Sequence, residues 1–410
     1  MAESIDFHIL KNGMVILGER MEAVESAAFD FLLPMGASVL PEGFCGAANV
    51  ITDWIFRGAG SKNSRQLGDA LDGLGLHRGS SVGSSHISIG GVLEAGNLSD
   101  ALKLYADIIL RPALEDEQFE PTRQLVIDSV LGLDDNPQQK VMLKLREEFY
   151  PAPLGRNTEG DIEQLKKLNP QVTRQIFRDF SNSSQTIFSI AGKYDFGAIV
   201  EQMEKLLDKG KPREKTKIET GSRGTMYTHL HNDSAQVHIG LMTTTVKPGD
   251  DDYYNARTAI SVLSGGMSAR LFTEVREKRG LCYAIGARYH CLKEAAGIMC
   301  YAGTTPDKAQ ETIEVITAEF NRLKDGISDE EIKRTKAGLK SALILQSESS
   351  SSRSSAIAGD YYMLGRVRSL DEIKEGIEKT TVDSVLNYLR KNKFENFFVV
   401  TIGTREVVVN

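Results

Sequence analysis

The sequence is poor in the residues that mark disulfide scaffolds, membrane spans and nucleic-acid binders. It has four cysteines among 410 residues, and Cys45, Cys282, Cys291 and Cys300 form no C-x-x-C pair. That excludes a disulfide framework or a thiolate zinc knuckle, and all four are expected as reduced structural thiols. No apolar run approaches the roughly 18 residues a membrane helix needs. The net charge of −7 argues against a general nucleic-acid footprint and leaves no membrane or nucleic-acid partner expected. Walker loops, dinucleotide fingerprints and G-x-S-x-G elbows are absent. The opening Met-Ala-Glu-Ser-Ile-Asp-Phe has neither the basic-then-apolar order of a secretory signal nor the arginine-rich character of an organelle presequence. A cytoplasmic protein is therefore expected. The seven histidines are scattered; His229 and His231 alternate on a possible strand, lack a third donor and read as surface residues.

What is present is a pattern met twice. Phe7–Leu10 and Met14–Leu17 flank Asn12-Gly13, a hairpin signal. An apolar run (Ala27–Leu33), two helices (Phe44–Phe56 and Ser64–Leu74) and a strand (Ser84–Leu93) follow. Then come a helix over Leu98–Leu110, ended by Arg111-Pro112, and a longer one over Glu117–Leu133. The second half replays this order. Its strand is Ala235–Met242, its helices Asp251–Leu263 and Ala269–Lys278, its strands Leu281–Tyr289 and Gly297–Ala302, and its final helices Pro306–Leu323 and Ser328–Ser347. The polar, basic stretch from Asp208 to Lys217 reads as a connector. The pattern predicts an α+β protein of two homologous α/β-sandwich domains, at 1–207 and 220–410, joined by a linker at 208–219. Each domain is expected to have a mixed, mostly antiparallel sheet with helices packed on one face. The run of serines from Ser347 to Ser355 reads either as a linker or as a bend between helices.

Three stretches carry a resemblance: Gly46-Ala-Ala-Asn-Val-Ile-Thr-Asp-Trp-Ile-Phe-Arg-Gly58, Tyr150-Pro-Ala-Pro-Leu-Gly-Arg-Asn-Thr-Glu-Gly160 and Leu263 to Tyr283. Together they resemble the pitrilysin superfamily of inverzincin peptidases, which includes insulin-degrading enzyme and the mitochondrial processing peptidase. The resemblance spans the chain and implies one half of a clamshell. Active members carry H-x-x-E-H on a helix: two imidazoles one turn apart hold zinc, the glutamate activates its water, and a distal glutamate completes the ligand set. Here those positions hold Asn49, Thr52 and Asp53, and the distal one falls at Ser129, beside Asp128. Neutral Asn and Thr are poor zinc ligands. No cofactor is therefore expected in this chain, and Asn49, Thr52 and Asp53 are expected on a solvated helix face. Trp54 is expected in the core.

The resemblance also implies that Arg276 and Tyr283, seven residues apart, reach a bound peptide. A guanidinium and a phenol can donate hydrogen bonds to a peptide carbonyl and to the oxyanion formed from it. The bland alternative is a surface Arg276 paired with Glu274 or Glu277 and a core Tyr283. Gly265-Gly266-Met267 either lines a peptide groove or makes a tight turn. The expected protein is thus a non-catalytic, peptide-binding subunit of a heterodimeric zinc metallopeptidase. Its partner would be a homologous subunit carrying H-x-x-E-H and the zinc. A scaffold of the same fold without a role in proteolysis is the second reading, and a hydrolase of different chemistry is disfavoured because no nucleophile–base pair is visible.

Overall fold

The computed structural model describes residues 5–181, 183–208 and 217–409, so most of the expected linker, 209–216, lies outside the described residues. The strands are β1 Ile5–Ile9, β2 Val15–Arg20, β3 Ser26–Leu33, the short pair β4 Gly58–Ala59 and β5 Lys62–Asn63, β6 His77–Val82, β7 Ile87–Glu94 and β8 Ile187–Gly192. In the second half they are β9 Tyr227–His231, β10 Val237–Thr244, β11 Cys282–Cys291, β12 Ala296–Thr304 and β13 Phe398–Gly403. One sheet runs β1-β2-β8-β3-β7-β6 and the other β9-β13-β10-β12-β11. In each, a single parallel pair (β2 with β8, β13 with β9) joins an otherwise antiparallel ladder. Strand for strand, the second sheet repeats the first without β1, which is the duplication that the sequence pattern implies.

Period-two burial explains the layers. On β3, Ala27, Phe29, Phe31 and Leu33 enter a core with the helices Ala47–Trp54 and Leu98–Leu110. Tyr105 from the latter stands edge-on to Phe29 at 4.9 Å and donates its hydroxyl to Gly90 O at 2.9 Å. In the second sheet Val237, Ile239 and Leu241 pack likewise with the helices Tyr253–Ser264, Ala309–Arg322 and Val382–Lys391. The core strands β8 and β13 are buried at every residue, which requires cover on both faces.

That second cover departs from the contiguous division at 208–219. The chain forms two compact units, and each takes a segment from the other half of the sequence: Leu345–Ser369 belongs with the first sheet, Leu133–Gly155 with the second. In the first unit, Ile357 and Ala358 of the helix Ser350–Leu364 cover Val15, Leu17 and Ile187. In the second, the helix Pro137–Phe149 lies over β10 and β13. Gly240 admits it closely, since a Cβ there would stand 3.2 Å from Leu145 Cδ2. The serine run is thus a helix start: Ser349 caps it through the Ser352 amide. Its hydroxyls meet the sheet, Ser350 against Ser26 at 3.3 Å and Ser354 against Ser189 at 3.1 Å. Between them the buried Arg353 pairs with Glu19 through both carboxylate oxygens, the Nε bond being 2.7 Å.

Candidate functional site

The helix Ala47–Trp54 is held at both ends. It starts at Gly46, φ 97°, and Gly160, φ 123°, lies against it: a Cβ on Gly160 would be 2.9 Å from Gly46 Cα. Both the left-handed backbone and the contact require glycine. Gly160→Ala is expected to cost about 1–3 kcal/mol, read from the denaturant midpoint; an unchanged midpoint would show that the contact relaxes. At the other end Trp54 is buried, as expected. It stands edge-on to Phe119 at 4.9 Å, under the Arg174 guanidinium at 5.2 Å, with its indole N–H donating to Glu115 O at 3.1 Å.

The opposite face of this helix looks into an open cavity of about 580 Å³. Asn49, Thr52, Asp53 and Ser129 all line it, so the four positions are brought together, with Ser129 arriving from the helix Asp116–Leu131. Asp128 is not among the lining residues; it accepts from Gln124 Nε2 at 2.8 Å. Phe56, Val82, Leu125 and Val126 supply an apolar wall, and Arg78 and Glu159 add charge. Leu125, Arg78 and the whole of β6 were not read from the sequence.

The three motif positions on the helix Ala47–Trp54 are already engaged. Asn49 Nδ2 donates to Thr158 O at 2.6 Å and Glu159 O at 3.2 Å. The Thr52 hydroxyl donates to Ala48 O at 2.7 Å, back into its own helix, and the residue is buried rather than solvated. Asp53 accepts two bonds from Arg57, at 3.0 and 2.8 Å. A tetrahedral zinc site needs three or four convergent N, S or carboxylate donors. This donor set does not fit one: an amide committed as a donor, a buried hydroxyl and a carboxylate spent on a guanidinium. Among the described residues no group of three His, Cys, Asp or Glu side chains is placed to hold a metal. His229 bonds Thr401 Oγ1 at 2.8 Å and His231 meets Asp233 at 3.1 Å.

In the second unit the expected helix Ala269–Lys278 takes an unexpected form. Over Phe272–Glu277 it is a π-helix, a local widening that shifts which side chains share a face. Lys278 N–H bonds Thr273 O at 2.9 Å, five residues back. The turn closes at Gly280, φ 57°, with Leu281 N–H bonding Val275 O, six residues back, at 3.0 Å, one residue wider than the Schellman bond of an α-helix end. Its start is fixed by Arg270, which holds Glu331 through bonds of 2.7 and 3.0 Å, while Ser328 N–H and Oγ add bonds of 2.9 and 3.1 Å. Burial raises the Glu331 carboxyl, but the Arg270 and Ser328 bonds outweigh it and hold the group down at about 2. A depressed carboxylate contributes stability that is present above its unfolded value of about 4.3 and lost as pH falls through the folded one. Glu331→Gln should therefore cost about 2 kcal/mol at pH 7, after a discount for partial exposure. The gap to wild type should close between about pH 4.3 and 2 in urea titrations; a pH-independent gap would refute the pairing.

The strand that follows begins irregularly. Cys282 pairs with Thr304 and Ala284 with Gly303, so Tyr283 is the extra residue of a β-bulge on the edge strand β11. A bulge re-aims a side chain, and Tyr283 is 80% exposed. Arg276, also exposed, lies with its Cζ 4.7 Å from the Phe272 ring centre and 5.6 Å from that of Tyr283. It makes no ion pair among the described residues. Glu274 instead binds Lys278 and Arg279, and Tyr283 is not in the core, so neither half of the bland alternative is met. Phe272 was not singled out in the sequence. Gly266, φ 149°, and Met267, 73% exposed, form the turn just before.

Comparison with known proteins agrees with the fold. Residues 167–339 match the family described as peptidase M16 inactive domain. A protein named as a zinc protease from Rickettsia felis is 24% identical over 95% of both chains, and one so named from Bacillus subtilis is 24% identical over 96% of this chain and 97% of its own. Among solved structures, a protease from Helicobacter pylori superposes with a TM-score of 0.89 at 18% identity, covering 98% of this chain and all of the other. A peptidase M16 inactive domain from Pseudomonas fluorescens gives 0.86 at 18%, over 99% and 100%, and a chain of complex III2 from Candida albicans gives 0.85 at 18%, over 99% and 98%. The chain is thus similar to M16, or pitrilysin, peptidases, with the inactive-domain match confined to residues 167–339. No helix among the described residues is long and apolar enough to cross a membrane.

Proposed function

We propose that this chain is the non-catalytic, peptide-binding subunit of a heterodimeric zinc metallopeptidase, working in the cytoplasm. In this reading a homologous subunit supplies H-x-x-E-H and the zinc, and this chain supplies Arg276 and Tyr283. One contrast carries the proposal. At Asn49, Thr52 and Asp53 the side chains are consumed by bonds inside the chain, whereas Arg276 and Tyr283 stand exposed with their donors unspent among the described residues. A guanidinium held near two rings and a phenol beside it suit a peptide carbonyl on which negative charge develops. The edge strands β6 and β11 offer free backbone groups for an extended peptide.

The direct experiment purifies the chain alone and mixed with a catalytic M16 homologue from the same cell, and measures zinc content and cleavage of an unfolded peptide. No zinc and no cleavage in the isolated chain, with turnover appearing on mixing beyond that of the homologue alone, is the expected result. Zinc bound stoichiometrically by the isolated chain, with cleavage, would sink the proposal. Assembly without any gain in turnover would favour a scaffold of the same fold.

A further inference from the structure

One carboxylate of the first unit lacks a counter-ion among the described residues. The strand registers place Leu17, Ser189, Asp30, Gly90 and Gly79 in one row across β2, β8, β3, β7 and β6. Residues directly opposite share a face, and this face is the one covered by the helix Ser350–Leu364. Glu19, also on it, is met by Arg353. Asp30 accepts from the Ser88 hydroxyl at 2.6 Å and makes no ion pair among the described residues. Burial pushes its carboxyl up to about 6, against the lowering effect of the Ser88 and Phe31 bonds.

The last two places of the row are glycines. With no side chains there, a trough runs from Asp30 to the free edge of the sheet at β6, under Ser351, Ser354 and Ser355. The open cavity holds about 360 Å³ and crosses two strand spacings of about 4.8 Å each. Arg78 borders it but belongs to the opposite face of β6, and its guanidinium turns to Asp72 at 3.5 Å. His77 sits in the next row, with Val92 and Ala28, and makes no bond to Asp30 among the described residues.

We propose that this trough is a binding site for a primary ammonium group on an unbranched aliphatic chain, with Asp30 as its counter-ion. A carboxylate largely kept from water without a cation is costly, which favours a cationic guest over a neutral or anionic one. An ammonium carries three donors, enough for a carboxylate oxygen and the hydroxyls that line the cavity. A bare metal ion is ill served, since no group of three His, Cys, Asp or Glu side chains is placed to hold one among the described residues. The trough is long in one direction, so the stem that carries the ammonium is a chain of methylenes lying over Gly90 and Gly79. The site belongs to the first unit and does not depend on the role given to Arg276 and Tyr283.

Pentylamine is the probe, titrated into the full-length chain by calorimetry at pH 8, where Asp30 is charged. Saturable binding with a Kd of about 1 mM or tighter is expected. Pentanol, which has the same shape without the charge, should not bind. Asp30→Asn should weaken pentylamine binding at least about tenfold, since the amide keeps the size and can still accept from Ser88. Its melting temperature should rise, because an unpaired carboxylate is gone. Gly79→Leu should weaken binding as much by filling the trough and leaving Asp30 in place. A Cβ at 79 meets nothing within 4 Å, so the strand need not move. No saturable binding by the wild-type chain, pentanol binding as well as pentylamine, or an affinity kept in either variant would overturn the proposal. A capped peptide with one lysine between glycines distinguishes the two sources of such a group. Binding tighter than that of pentylamine, and lost in both variants, points to a lysine side chain of a bound peptide; weaker binding points to a free alkylamine.

Discussion

In the reconstituted heterodimer, Arg276→Ala should lower kcat by about 10²–10³-fold, the usual consequence of removing one donor to a developing oxyanion. Tyr283→Phe should lower it by about tenfold, the smaller end of what one uncharged donor supplies. The two substitutions ask different questions. Phenylalanine at 283 keeps the ring that lies 5.6 Å from the guanidinium and removes only the hydroxyl. Tyr283→Leu removes both and should be the worse of the two. None of these changes reaches the core, since Arg276 and Tyr283 are exposed, so melting temperature and assembly should stay within the small range of surface substitutions. Steady-state kinetics with size-exclusion chromatography on each variant separates the outcomes. Undiminished turnover in both Arg276→Ala and Tyr283→Phe would end the case for a shared active site.

The largest effect on stability is expected far from that site, at the pair joining the helix Ser350–Leu364 to β2. Glu19 and Arg353 are each 4% exposed, and Arg353 grips both oxygens of its partner. Arg353→Met strands Glu19 under a helix with no route to solvent, which should cost about 3–5 kcal/mol. The double replacement Glu19→Leu with Arg353→Met leaves no uncompensated charge and should recover most of that loss. A urea series on the wild type and the two variants measures both numbers. If the single change costs under about 1 kcal/mol, an exposed-pair value, then the carboxylate finds water and the burial described here is wrong.

Much of the architecture could be read along the chain because local signals were strong. Strands and helices recur in one order in both halves, and the two sheets do share one topology. What escaped were elements whose sequence does not alternate. β6, His-Arg-Gly-Ser-Ser-Val, is an edge strand with five exposed residues and has no apolar face to betray it. β8 and β13 are continuous runs because both their faces are covered. The Asn12-Gly13 turn was legible, though not its form. It is longer than two residues, and Asn12 is fully buried, donating to Leu207 O at 2.7 Å. The serine run left two readings open, and the bend between helices is the one that holds, since one helix ends at Ser347 and the next begins at Ser350. The small size of its serines lets the second helix lie close on the sheet while the Ser350 and Ser354 hydroxyls find partners there. At the site, residue types pointed to Arg276 and Tyr283. The π-turn and the bulge that place them depend on backbone hydrogen bonds that no residue pattern spells out.

The exchanged helices set a timetable for synthesis. The strands of the first sheet are complete once Gly192 has left the ribosome, yet the helix that covers Val15, Leu17 and Ile187 ends at Leu364. At about 5–20 residues per second, the nascent chain carries a half-clad sheet, with the unpaired Glu19 on it, for on the order of ten seconds. The gene therefore cannot be cut into two independently folding halves at 208–219. A product truncated there should bind chaperones and aggregate, while the two fragments made together should each complete the other.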